Sequence, residues 1–209
     1  MKKYILRCLP LGLCTLLIST SMSGQLSLGI KGGINITSVT TDLGYKKGGN
    51  ANTIGAHAAV MLEASLSDHF AIQPSINWIQ KGWKNDNAAF TKWIFNILDV
   101  HLLAKYKYNI GKVRGFVDAG PTFGPVLSAS KDPANGDKVD VDLDTDMIQK
   151  LDYGITAGLG FGLPLGKGQI FVDGRYMLSL NDVFEDEANK GKFQKVGFDY
   201  TIGYLIPLK

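Results

Sequence analysis

The chain has 209 residues, with 22 Lys+Arg against 19 Asp+Glu, 25 glycines and 10% aromatic side chains. That length suits one domain, and the glycine and aromatic content suits strands and turns better than helices. No basic patch stands out, which argues against nucleic acid as a partner.

Residues 1–25 stand apart. Lys2, Lys3 and Arg7 precede an apolar run from Cys8 to Ile18, and the small residues Ser19, Ser21, Ser23 and Gly24 follow. This is the pattern of a secretory signal peptide, too short to span a bilayer as a helix, with cleavage expected between Ser23 and Gln25. Cys8 and Cys14 both fall inside it, so the mature chain would hold no disulfide. Leu13 stands where a lipid-attachment cysteine normally follows a small residue, which argues against a lipoprotein. Removing the three leader cations leaves 19 cations against 19 carboxylates.

Eight segments with period-2 alternation follow. The first sets Leu26, Leu28, Ile30, Ile34 and Ile36 against Ser27, Gly29, Lys31, Gly33 and Asn35, and a polar loop over 37–52 ends it. The second sets Ile54, Ala56, Ala58, Val60 and Leu62 against Gly55, His57, Met61 and Glu63. After a turn at Ser67–His69, the third sets Phe70, Ile72, Pro74, Ile76 and Trp78 against Ala71, Gln73, Ser75 and Asn77. Pro74 removes a ladder donor, so an irregularity is expected there. A loop is expected over 82–92.

The fourth segment sets Ile94, Leu98, Val100, Leu102, Ala104 and Tyr106 against Phe95, Ile97, Asp99, His101, Leu103, Lys105 and Lys107. A turn at Asn109–Lys112 leads to the fifth, with Val113, Val117, Ala119, Pro121 and Phe123 opposite Arg114, Phe116, Asp118, Gly120 and Thr122. The longest loop, Ser128 to Lys150, is acidic. The sixth and seventh form a hairpin over Leu151–Tyr176, LDYGITAGLGFGLPLGKGQIFVDGRY, with Asp152, Gly154, Thr156, Gly158, Gly160 and Gly162 on the small polar face of its first strand. A charged loop over 181–192 precedes the eighth, Val196, Phe198, Tyr200, Ile202, Tyr204 and Ile206 against Lys195, Gly197, Asp199, Thr201 and Gly203.

Connections alternate long and short, which puts long loops on one rim and short turns on the other, and strands of about 10–12 residues cross a bilayer when tilted. Period 2 alone does not separate a membrane barrel from a soluble one that lines a ligand cavity. The charges separate them. The greasy face carries none, while the opposite face carries six of each sign among Gly, Ser and Ala: Lys31, Glu63, Asp99, Lys105, Lys107, Arg114, Asp118, Asp152, Asp173, Arg175, Lys195 and Asp199. A charge facing lipid at mid-bilayer costs about 2–4 kcal/mol, so the charged face is the interior. Trp78, Trp93, Tyr106, Tyr108, Tyr204 and Phe123 lie near strand ends, where interfacial girdles belong. The expected fold is all-β, an eight-stranded antiparallel up-and-down transmembrane β-barrel over 26–209.

The segments LSLGIKGGIN, LDVHLLAKYKY, VRGFVDAGPTFG and DYGITAGLGFGL…FVDGRY together resemble the PorT-type outer-membrane β-barrel family of Bacteroidetes-like bacteria. The resemblance spans essentially the mature chain and implies a Gram-negative outer-membrane location reached through the periplasm. Some relatives are linked to protein secretion. Barrels of this kind usually end on an aromatic residue read by the barrel-assembly machinery, whereas this chain ends Ile206, Pro207, Leu208, Lys209. Tyr204, or a weaker signal, would then serve.

Catalytic and metal motifs are sparse. His57, His69 and His101 show no metal spacing, and only His101 lies near a carboxylate on its own strand face, Asp99, with no nucleophile to complete a site. Gly162, Gly166 and Lys167 imitate a phosphate loop with the wrong spacing. Asp140, Asp142, Asp144 and Asp146 imitate a calcium loop, but Thr145 replaces its glycine and Leu151 its closing glutamate. The four are weak cation candidates, since a charge run is usually a solvated face.

No catalytic residue and no cofactor are expected. The leading reading is a non-enzymatic barrel whose lumen is plugged by Phe95, Phe116, Phe171, Met61, Met177 and balanced charges. Its partners would be outer-membrane lipid, the assembly machinery and an extracellular or secretion partner at the loops. The alternatives are a small pore for passive transport and, further off, a barrel enzyme.

Overall fold

The computed structural model describes residues 25–41, 50–85, 90–133, 137, 139–141, 149–181 and 193–208. The leader over 1–24 and Asp142, Asp144 and Asp146 lie outside these. The strands are β1 (Leu26–Thr41), β2 (Asn50–Ser65), β3 (Phe70–Asn85), β4 (Phe90–Ile110), β5 (Val113–Pro133), β6 (Val139–Val141), β7 (Leu151–Leu165), β8 (Gly168–Ser179) and β9 (Phe193–Pro207). Each long strand pairs antiparallel with its chain neighbour, β5 passes to β7, and β1 pairs with β9 from Ser27↔Pro207 to Thr41↔Phe193. The sheet therefore closes into an eight-stranded barrel with no free edge, and β6 is a short addition on β5.

Turn chemistry explains the tight rim. Ile110 faces Val113 and Leu165 faces Gly168, so Gly111–Lys112 and Gly166–Lys167 are two-residue turns, each with glycine at φ +61°. A positive φ at that position matches the strand twist and is open to glycine at little cost. The Ser67 hydroxyl accepts from the backbone N–H of Phe70 at 3.0 Å and closes the third turn.

The outward face is apolar: Ile30, Ile54, Ile76, Leu159 and Ile202 are exposed beyond half their surface. The irregularity expected at Pro74 falls on the β2 side, where the pairing lapses between Met61↔Ser75 and Ala64↔Ile72, while on the β4 side Pro74 faces Leu102 in unbroken register. Strand lengths differ more from expectation. The eight barrel strands run from 12 residues in β8 to 21 in β4 and β5. On β3 the outward apolar band ends at Trp78. Above it Gln80 donates to Asn96 at 3.2 Å and Asn96 to Ser128 at 2.9 Å, a polar row across three strands. Backbone pairing continues there because water solvates the outward face as readily as lipid covers the band below, and apolar alternation is no longer required.

The segment read as the long acidic loop is correspondingly shorter. β5 runs on to Pro133, and β6 returns along it with Ala129↔Val141, Ser130↔Asp140 and Lys131↔Val139.

Candidate functional site

The lumen is filled in layers from the short-turn rim to the long-loop rim. Nearest the short turns, Glu63 accepts from Lys105 at 2.9 Å and from Lys107 at 3.2 Å, and Lys107 also donates to Ser65. Lys105 lies 4.3 Å from the centre of the Phe116 ring. Phe116 and Phe171 meet edge to face at 6.3 Å and pack with Met61 and Leu205 in an apolar layer.

The next layer centres on Arg175, 1% exposed. Its Nε and Nη2 grip the two Asp118 carboxylate oxygens at 3.0 and 2.9 Å, and Nη1 lies 2.9 Å from Asp173. Asp118, Gly158 and Arg175 share one register row across β5, β7 and β8. A Cβ on Gly158 would stand 2.3 Å from the Arg175 Cγ, so the bare backbone of β7 is the path along which the arginine reaches its partner. Lys31 interacts electrostatically with Asp173, Asp199 and Asp118, while His57 bonds Thr201 at 3.1 Å.

Above this, Lys81 bridges Asp152 at 2.8 Å and Asp99 at 3.3 Å, and Lys195 reaches the other Asp152 oxygen at 3.2 Å. The outermost layer is apolar: Val39, Ile79, Phe95, Ile97, Val126, Ala129 and Met177, covered by Trp83 and by Val141 of β6. Trp83, Trp93 and Phe95 stack with interplanar angles of 18° or less, and Lys131 lies 4.4 Å over Trp93.

Among the described residues the buried charges are six cations, Lys31, Lys81, Lys105, Lys107, Arg175 and Lys195, and six carboxylates, Glu63, Asp99, Asp118, Asp152, Asp173 and Asp199. The interior differs from the sequence reading by one exchange. Arg114 lies exposed at the short-turn rim, its Nε donating to Asn109 at 3.3 Å, because it is the second residue after a tight turn and the wall ends there. Lys81 takes its place in the lumen. The apolar alternation stops at Trp78 and the expected loop begins at Gly82, so nothing in the sequence marks Lys81, although the inward phase Asn77, Ile79, Lys81, Trp83 continues unbroken. Trp93, expected in a girdle, points inward against Trp83 for the same reason, whereas Trp78, Tyr106, Tyr108 and Phe123 face outward.

Asp99 and His101 do meet, with His101 Nε2 3.4 Å from the carboxylate. Ser75 lies opposite His101 in register, but its hydroxyl accepts from Asn77, and neither His101 ring nitrogen has a hydrogen-bond partner of good geometry. All of them are buried between the two apolar layers. Asp140 is exposed on β6, and no group of three metal-ligating side chains occurs among the described residues.

The family model described as the outer membrane protein beta-barrel domain matches residues 19–185. Among solved structures, the chain is similar to Neisserial surface protein A (NspA), at 14% identity over 87% of this chain and 97% of that one, with a TM-score of 0.50. It is similar at 13% identity to Ail, the attachment invasion locus protein of Yersinia pestis, over 88% of this chain and all of that one, TM-score 0.46. OprG from Pseudomonas aeruginosa gives 13% identity over 86% and 95%, TM-score 0.45. No curated protein matches the chain. At such identities the likeness to NspA is one of fold.

Proposed function

Since the chain belongs to the outer membrane protein β-barrel domain family, we propose that it is a non-enzymatic barrel, sealed along its lumen, that presents its long-loop rim to a partner outside the cell. The observation that carries this reading is the pair of apolar layers closing both ends of an interior packed with buried ion pairs. A pore needs a continuous wet path, and an eight-stranded barrel is just wide enough for side chains to fill. Planar bilayers containing the refolded protein should therefore show no discrete conductance steps. Stable single-channel openings would overturn the sealed lumen and favour passive transport.

The two termini of an even-stranded barrel share a side, and short turns in such barrels face the periplasm. The β5–β6 arm then projects outward, stiffened by its ladder and by Val141 anchored in the outer layer. Its exposed carboxylates, Asp132, Asp137 and Asp140, favour a cationic or cation-bridged partner. A cysteine at Asp137 should react with a membrane-impermeant maleimide on intact cells, and one at Asp68 should not; the opposite pattern would invert the barrel. The resemblance to PorT-type barrels supports a role in envelope or secretion assembly. In that case shortening the β5–β6 connection should abolish the cellular phenotype, while neutral exchanges of lumenal residues that preserve folding should spare it.

A further inference from the structure

The short-turn mouth holds a feature that the sealed lumen does not use. The two Gly–Lys turns lie side by side, because β5 and β7 are neighbours, and between them is a cavity of about 300 Å³ lined by Asn109, Gly111, Lys112, Arg114, Pro164 and Gln169. Two cations line it, Lys112 and Arg114, and Lys167 stands on the second turn beside it. Among the described residues none of the three forms an ion pair, and the only carboxylate on the short turns is Asp68, on the β2–β3 turn.

Two of the donors have defined positions. Asn109 accepts from the Arg114 Nε and so holds the guanidinium in place, leaving its terminal NH₂ groups without a partner among the described residues. Arg114 faces Gly162 in register, and a Cβ on Gly162 would fall 1.8 Å from the Gln169 amide nitrogen. Glycine at 162 is thus what lets the Gln169 amide lie over β7 beside the arginine. A guanidinium fork, an amide and an ammonium group around one cavity match a tetrahedral oxyanion, whose several oxygens accept more donors than a carboxylate can.

We propose that this mouth is a binding site for a phosphate group, borne either by an anionic phospholipid of the inner leaflet or by a soluble phosphate compound. The lipid source is supported by the outward faces of the same turns, where Ile110 and Leu165 are more than half exposed and would meet acyl chains. Only the choice of leaflet rests on the orientation proposed above; the phosphate chemistry does not.

The test is an NMR titration of the refolded barrel in phosphatidylcholine nanodiscs, following the Gly111 backbone and Gln169 side-chain amides. One arm adds inorganic phosphate, another incorporates phosphatidylglycerol, and a third adds acetate. Saturable shifts with phosphatidylglycerol, with inorganic phosphate or with both support the site and identify its source. In K112Q/R114Q, checked for unchanged heat-modifiable migration, the apparent affinity should fall at least tenfold. No saturable shift, an equal response to acetate, or full affinity in the double variant would overturn the proposal. Labelling at Asp68→Cys reports the orientation separately, so a site on the wrong side of the membrane is distinguishable from no site.

Discussion

Replacing Arg175 with Met should destabilise the folded barrel by about 3–5 kcal/mol, the range for breaking a buried ion pair by removing one partner. Arg175 is 1% exposed and serves two carboxylates, gripping Asp118 with two hydrogen bonds and Asp173 with a third contact. Methionine fills much of the volume but leaves both carboxylates buried with less positive charge nearby, Lys31 being the remaining cation of that layer. Urea-dependent folding into vesicles, followed by the shift between folded and heat-denatured gel mobility, measures the effect. Arg114→Met is the companion: its side chain is exposed at the rim, and a surface exchange of that kind usually changes stability by no more than about 0.5 kcal/mol. Equal stability of Arg175→Met and the parent would remove the interior network as a source of stability.

The second large effect belongs to the opposite face. Ile202 is 56% exposed on β9, midway between Phe198 and Ile206 on the outward apolar band. Ile202→Arg should cost about 2–4 kcal/mol, because the guanidinium would have to leave water for the bilayer midplane or deform the lipid around itself. The same exchange at Ile206, close to the short-turn rim, should cost about 0–1 kcal/mol, since an interfacial cation snorkels to water. Folding in vesicles of the two variants reads this gradient. Equal effects at the two positions would mean that this face does not meet lipid.

Both predictions follow from an inside-out pattern that is written directly in the residues. The charge-free alternation, the short turns at Gly111 and Gly166, and the order of long and short connections determine eight antiparallel strands and which face is interior. A bilayer imposes that pattern residue by residue, so it is local and readable. The six-to-six charge balance was legible for the same reason, although one member was misplaced. At Lys81 and Trp93 the reading failed because strands that leave the bilayer lose the apolar alternation that marks them while keeping the backbone ladder. Gln80 and Asn96 interrupt the outward apolar phase, yet they pair on through the water above the membrane.

What the sequence by itself determined is therefore the membrane barrel, its lipid-facing face and most of its lumenal side chains. What only the tertiary structure decided is who meets whom. Asp118 and Arg175 are 57 residues apart and join because the register of β5, β7 and β8 puts Gly158 between them. β6 folds back to bring Val141 into the outer apolar layer, and the two Gly–Lys turns become neighbours around one cavity only when β5 pairs with β7. Alternation fixes the face a side chain takes within one strand. Register between strands is set by closure of the whole barrel, and no stretch of the chain carries that information alone.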